Sequence, residues 1–184
     1  LLYALWMERP ASGGVDDTWI FDLEEQNWTE REPNNHPEPT YYHAMATGVS
    51  LGTHTTSVVF GGYTLSGYTN KTWIYYDNSD YWMESSSEDV PSARYFHDMA
   101  TDWNSDRIVM FGGYGMNENG FYSYRNDTWL YYAERDLWLN VSDASGPSPR
   151  YQHAMAFDNI TGDIILYGGY GMNETGYYLY FNDT

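Results

Sequence analysis

Three histidines, His43, His97 and His153, stand 54 and 56 residues apart. Imidazole is a common zinc ligand, so three brought together would suit a metal site. Each, however, opens the same short block: His43-Ala44-Met45-Ala46, His97-Asp98-Met99-Ala100 and His153-Ala154-Met155-Ala156. A residue that recurs with its surroundings is expected to serve them, here as a structural hydrogen-bonding group. His36 and His54 read as isolated loop residues without a role. Arg94 and Arg150 precede two of the blocks, and each can hold an anionic ligand or pair with a carboxylate inside the fold. Asp158-Asn159-Ile160-Thr161-Gly162-Asp163 offers oxygen ligands for Ca²⁺. It lacks the terminal Glu and the register of an EF-hand loop, and reads as a hairpin turn.

Other chemistries are absent from the sequence. There is no cysteine, which excludes disulfides, thiolate zinc sites, iron–sulfur clusters and thiol nucleophiles. Neither Gly-x-Ser-x-Gly nor His-Glu-x-x-His occurs. No catalytic residue, metal or cofactor is assigned. The 26 acidic side chains against 8 basic ones give a net charge of −18, which repels phosphate backbones and argues against nucleic acid as a partner. No run of about 18 apolar residues occurs, so no membrane-inserted helix is expected in this segment.

The elements that must carry these residues repeat. Asp17-Thr18-Trp19, Lys71-Thr72-Trp73 and Asp127-Thr128-Trp129 recur, and Asp183-Thr184 begins a fourth copy. A second tryptophan follows nine residues later, at Trp28, Trp82 and Trp138. The glycine pairs Gly61-Gly62, Gly112-Gly113 and Gly168-Gly169 each follow an apolar run and precede a tyrosine. The spans Ile108–Thr128 and Ile164–Thr184 agree at 14 of 21 positions. Such self-similarity means one supersecondary unit per repeat.

Each unit reads as four short strands and no helix, with Ile108–Phe111, Ile164–Tyr167 and Trp129–Tyr132 as clear examples. The paired glycines permit positive φ and close backbone approach where the second strand ends. Trp19, Trp73 and Trp129 of the third strand are expected to supply flat faces between neighbouring sheets. The Asn-Asp-Thr ahead of them is expected to tie the turn to its own backbone.

These features resemble the Kelch repeat. A glycine doublet follows an apolar strand, a tryptophan comes at a distance, and Pro-Arg-x-x-His leads into the first strand. Ser148–Ala156 fits that lead-in, Val90–His97 fits with one extra residue, and Glu38–His43 carries Thr40 where the arginine belongs. The resemblance implies an all-β, Kelch-type β-propeller fragment of four-stranded antiparallel blades, about three blades' worth. The boundaries are a partial blade of strands 2–4 over 1–40, complete blades over 41–93 and 94–149, and a partial blade of strands 1–2 over 150–184. Leu1-Leu2-Tyr3 aligns with the end of a second strand, with Ala4-Leu5 where the glycines belong. Propellers close with 4–8 blades, so a longer native protein, on the order of 330–400 residues, is expected.

Within that frame the 2–3 and 4–1 connections emerge on one face. Tyr114–Tyr124 and Tyr170–Tyr180 read as long tyrosine-rich loops suited to ligand contact. The candidate ligand residues are Arg94, Arg150, Tyr114, Tyr122, Tyr124, Tyr170, Tyr178 and Tyr180. The resemblance implies a non-catalytic module that binds or scaffolds a protein or glycan. Kelch-scaffold enzymes such as galactose oxidase and the sialic-acid mutarotases are the alternative, with a site in other blades; the copper site of the former needs a cysteine. A structural array in a cell-surface protein is the third reading. Asn-x-Ser/Thr sequons occur at Asn27, Asn70, Asn126, Asn140, Asn159, Asn173 and Asn182; Asn70, Asn126 and Asn182 belong to the repeat's own turn, and the other four lean toward an extracellular or cell-surface location.

Overall fold

The computed structural model describes residues 15–50, 54–116, 119–173 and 175–184. β-Branched and aromatic runs extend into strands, and period-two alternation decides which side chains each sheet buries. A first antiparallel pair joins β1 (Thr18–Asp22) and β2 (Asn27–Arg31). There follow β3 (Ala44–Ser50), β4 (His54–Phe60), a hairpin of β5 (Tyr63–Thr64) and β6 (Gly67–Tyr68), β7 (Thr72–Tyr76) and β8 (Tyr81–Glu84). Their sheet order is β3-β4-β7-β8, with β5-β6 apart. The next unit repeats the plan: β9 (Asp98–Asp102), β10 (Arg107–Phe111), the hairpin of β11 (Tyr114–Met116) and β12 (Tyr122–Tyr124), β13 (Thr128–Tyr132) and β14 (Leu137–Asn140). Its sheet order is β9-β10-β13-β14. The chain continues with β15 (Arg150–Tyr151), the pair β16 (Ala154–Asp158) and β17 (Asp163–Tyr167), and the hairpin of β18 (Tyr170–Met172) and β19 (Tyr178–Tyr180).

Two complete four-stranded antiparallel blades therefore lie between the third and fourth strands of one unit and the first two of another. Helix is confined to one 3₁₀ turn at Asp77–Ser79 among the described residues, and no helix there is long and apolar enough to cross a membrane. The strand-2 remnant at Leu1–Tyr3 lies outside the described residues. His54 opens β4 and does not stand in a loop. The Asp158–Asp163 turn is a plain hairpin, closed by Gly162 N–H donating to the Asp158 carbonyl at 2.8 Å.

The core sits between blades. Val58, Phe60 and Ile74 of one blade pack with Met99, Ile108, Met110, Tyr131 and Trp138 of the next. The Phe60 and Trp138 rings approach to 5.0 Å. Trp138 is 2% exposed, and its indole N–H donates to Thr72 Oγ1 of the preceding blade at 2.9 Å. Trp82 makes the same bond to Thr18 Oγ1 at 3.0 Å. The third-strand tryptophans contribute less deeply: Trp73 and Trp129 are half-buried and pack against the buried clusters, whereas Trp19 is exposed, which corrects the role expected of it. In the two complete blades the fourth-strand tryptophan is the more buried of the pair. On β14, alternation turns Trp138 inward and leaves Leu137 and Leu139 partly exposed.

The glycine doublets clamp neighbouring blades. Gly112 and Gly113 have φ of 66° and 96°, the region that glycine adopts without steric cost. Gly113 N–H donates to the Arg150 carbonyl at 2.9 Å, and a Cβ on Gly112 would lie 2.6 Å from that same oxygen. Gly62 bonds the Arg94 carbonyl likewise at 2.8 Å. A further chain of backbone bonds crosses the units. Phe96 N–H donates to the Tyr42 carbonyl at 3.0 Å, and Gln152 N–H to the Phe96 carbonyl at 2.9 Å. Tyr42, Phe96 and Gln152 all have φ near 60°, and at Phe96 and Gln152 the N–H is turned to the preceding unit.

Candidate functional site

The expected long loops are β-hairpins. Tyr114 pairs with Tyr124, Tyr170 with Tyr180, and Tyr63 with Tyr68 in a shorter version. Each hairpin is docked on the residue that leads into the first strand. Tyr41 and Tyr63 exchange backbone bonds of 3.1 and 2.8 Å, and Tyr95 and Tyr114 bonds of 3.0 and 2.9 Å. Tyr151 pairs with Tyr170 in the third copy. Asn117, Glu118 and Glu174 of the hairpins lie outside the described residues.

Tyrosine at these repeated positions builds one aromatic surface across three units. Ring centroids connect Tyr41 to Tyr63 (5.4 Å), Tyr63 to Tyr68 (4.9 Å) and Tyr68 to Tyr95 (5.2 Å, stacked). The path continues from Tyr95 to Tyr114 (5.8 Å), Tyr114 to Tyr124 (5.0 Å) and Tyr124 to Tyr151 (5.4 Å). Tyr151 reaches Tyr170 (5.9 Å), and Tyr170 reaches Tyr180 (5.0 Å). Tyr122 and Tyr178 lie nearly parallel to Tyr114 and Tyr170. Edge and offset contacts of this kind hold rings rigidly at low entropic cost. Phe121, Tyr177, Tyr178 and Tyr180 are the most exposed rings of the surface, with Tyr122 next. Burial and neighbouring hydroxyls push Tyr68 and Tyr124 up to about 12, so these phenols remain neutral donors at ordinary pH. The structure thus gathers Tyr114, Tyr122, Tyr124, Tyr170, Tyr178 and Tyr180 together. It adds Tyr41, Tyr63, Tyr68, Tyr95 and Tyr151, which recur at matching positions but stand outside the two obvious loops.

Arg94 and Arg150 lie elsewhere. Arg94 has no exposed surface and grips Asp127 with both Nη atoms, at 2.6 and 2.7 Å. Its remaining bonds go to the Ser92 carbonyl and hydroxyl and to the Gly112 carbonyl. Arg150 repeats this with Asp183 at 2.6 and 2.8 Å and with the carbonyls of Ser148 and Gly168. Its guanidinium also lies 4.0 Å from the Phe181 ring centroid. A ligand-contacting role for these two arginines is therefore corrected: their donors are already engaged. The aspartate of Asn-Asp-Thr serves this pair, accepts from the Trp129 indole at 2.7 Å, and also accepts from its own backbone N–H, the tie expected of this turn. The paired guanidinium holds Asp127 and Asp183 below the ordinary carboxylate value, for Asp127 against the opposing effect of burial.

The histidines do not converge on a metal. Among the described residues no group of three His, Asp or Glu side chains could hold one. His97 and His153 are buried, with rings edge-on to Phe60 and Phe111 at 5.4 and 5.5 Å. The expected hydrogen bond is not formed, since neither ring nitrogen of either residue meets a partner at bonding geometry. The nearby carbonyls of Phe60 and Phe111 favour the charged form weakly, and burial overrides them. His97 is pushed well below its ordinary value and His153 down to about 4. His43 is exposed.

Four-stranded antiparallel blades, stacked face to face through glycine doublets and tryptophans, define a Kelch-type β-propeller segment. The profile of the Attractin/LZTR1 beta-propeller matches residues 10–181, and the chain belongs to that family. It is also similar to "Mei4-dependent protein 6" of Schizosaccharomyces pombe, with 25% identity over 104 residues. That match covers 53% of this chain and 15% of the fission-yeast protein, so the chain corresponds to a small part of it.

Proposed function

We propose that this propeller segment is a non-catalytic protein-binding module whose contact surface is the aromatic face of the hairpins. The carrying observation is the unbroken ring-to-ring path from Tyr41 to Tyr180. Rigid rings with hydroxyl tips present wide amphipathic area with little side-chain entropy to lose on contact. The paired arginines and buried histidines belong to the junctions and leave the face to tyrosine. A glycan ligand is the second reading, favoured by the same neutral phenol donors beside flat apolar rings.

The test compares proteins captured by the wild-type chain with those captured by the joint Tyr122→Ala, Tyr124→Ala, Tyr178→Ala, Tyr180→Ala variant. A second control variant, Ile160→Ser, alters an exposed turn remote from the hairpins. The expected result is that specific partners vanish from the tyrosine variant alone, with its circular dichroism spectrum unchanged. Capture that is unaltered by the four substitutions overturns the reading. Retention of a defined oligosaccharide on an array, with no protein captured, moves the assignment to a glycan.

A further inference from the structure

Seven sequons recur along the chain, and their surroundings divide them. Asn126 and Asn182 each precede an aspartate locked at 2.6 Å to a buried arginine, and Asn70 precedes Lys71 at the matching position. These three belong to the lead-in of the third strand. Asn173 lies in the β18–β19 hairpin, where its Oδ1 accepts from Thr175 N–H, Thr175 Oγ1 and Tyr177 N–H. Asn27 opens β2 beside Trp28, which is 63% exposed here although its counterparts Trp82 and Trp138 are buried between blades.

Asn140 and Asn159 lie outside both the lead-ins of the third strand and the tyrosine hairpins. Asn140 ends β14, the outermost strand of its blade, and is exposed. Its Oδ1 accepts from Ser142 N–H at 2.9 Å and Ser142 Oγ at 2.6 Å, so the sequon hydroxyl is already seated on the acceptor amide. Those bonds engage the amide oxygen and not the amide nitrogen, as Thr175 does at Asn173. Asn159 is exposed in the turn between β16 and β17, at the opposite end of the strands from the hairpins. Beside each acceptor stands uncovered apolar surface: Leu139 and Val141 at 47% and 40% exposure, and Ile160 at 91%. Exposed outer strands and apolar turn tips are liabilities that a bulky solvating group would shield.

We infer that Asn140 and Asn159 carry N-linked glycans, placed on the outer edge and on the face remote from the tyrosines. The donor is a lipid-diphosphate-linked oligosaccharide. The amide nitrogen of each asparagine bonds the anomeric carbon of the first sugar. The bond from that carbon to the diphosphate oxygen breaks, and lipid diphosphate departs. The amide proton passes to a base of the transferase, with no change of oxidation state. The modification requires passage through a luminal compartment that holds this donor.

The test is peptide mass spectrometry of the chain from its native source, after release by peptide-N-glycosidase in heavy-oxygen water. The expected result is the isotopic tag on Asn140 and Asn159 and its absence from Asn70, Asn126 and Asn182. Translation with microsomes supplies a measurement independent of folding. There Ser142→Ala and Thr161→Ala should each remove one glycan step on a gel while keeping the asparagine. Untagged Asn140 and Asn159 in the native protein overturn the inference, as does glycan addition that survives the hydroxyl substitutions. A tag on Asn173 as well leaves the inference standing and counts against the aromatic face as a binding surface.

Discussion

The first complete blade and the second solve the same position differently. In the second, Arg94 is buried and locked on Asp127, and the β16–β17 unit repeats the lock with Arg150 and Asp183. In the first, Thr40 replaces the arginine, and Lys71 occupies the place of the aspartate thirty-three residues on in the others. Thr40 Oγ1 donates to the Glu38 carbonyl at 2.7 Å, replacing the bond from Arg94 Nε to the Ser92 carbonyl. Lys71 turns outward to Glu84 at 3.1 Å, with both side chains nearly half exposed. The two positions differ together. A buried carboxylate without its guanidinium would be left uncompensated, so loss of one partner is tolerated only with loss of the other. The departure at Thr40 is half of a substituted structural pair.

That contrast can be broken most forcefully at Arg94. Arg94→Ala leaves Asp127 partly buried beside a void, and should lower unfolding free energy by about 3–5 kcal/mol in urea titration. The joint variant Arg94→Thr, Asp127→Lys transplants the first blade's solution and should recover most of the loss. Failure of that rescue would show that the two positions are not a unit.

The next largest effect is a pH dependence at the junctions. His153 titrates near 4 in the folded chain and near 6.5 unfolded, so the unfolded state binds the extra proton between those values. Its contribution is fully present above about pH 6.5 and is lost as pH falls toward 4, amounting to about 3 kcal/mol. His97 acts in the same direction. The depressed aspartates Asp127 and Asp183 contribute in a lower window, where stability falls as pH drops below their unfolded value of 3.8. Asp98 has the opposite sign: burial raises its value, so it destabilises as pH climbs through 4 and upward. Melting temperatures measured between pH 7 and 4 should fall steeply for the wild type and less steeply for His153→Gln.

A smaller loss, about 1–3 kcal/mol, is expected for Gly112→Ala, which places a Cβ against the Arg150 carbonyl at a left-handed φ. The smallest belongs to the first blade's own ion pair. Lys71→Ala should change stability by less than about 1 kcal/mol, because Lys71 and Glu84 are both well solvated. A large effect there would remove the contrast between the two blades.

Much of this was legible in the chain, because a repeat states its own alignment. The glycine doublets, the strand runs and the blade plan follow from local preference and periodicity. Several assignments misled. Two tryptophans recur per unit at constant spacing, and periodicity cannot say which is buried more deeply against a neighbouring blade; the pleat of β14 turns Trp138 inward. All three histidines were expected to hydrogen-bond; His43 meets the Thr40 backbone, but His97 and His153 pack edge-on against phenylalanines and meet the nearby carbonyls only outside bonding geometry. The aromatic face was only half visible. Tyr122 and Tyr178 declare themselves in the hairpins, whereas Tyr41, Tyr95 and Tyr151 look like ordinary strand lead-ins.

The sequence by itself determined the period, the all-β blade, the absence of thiol chemistry and the glycine doublets that turn at positive φ. These depend on local backbone preference and on composition, which each segment carries alone. Tertiary structure decided which side chains meet. Arg94 finds Asp127, Trp138 finds Thr72 of the preceding blade, and tyrosines from three units join into one surface. Each of those contacts joins residues dozens of positions apart, and only the stacking of twisted sheets brings them within a few ångströms of one another.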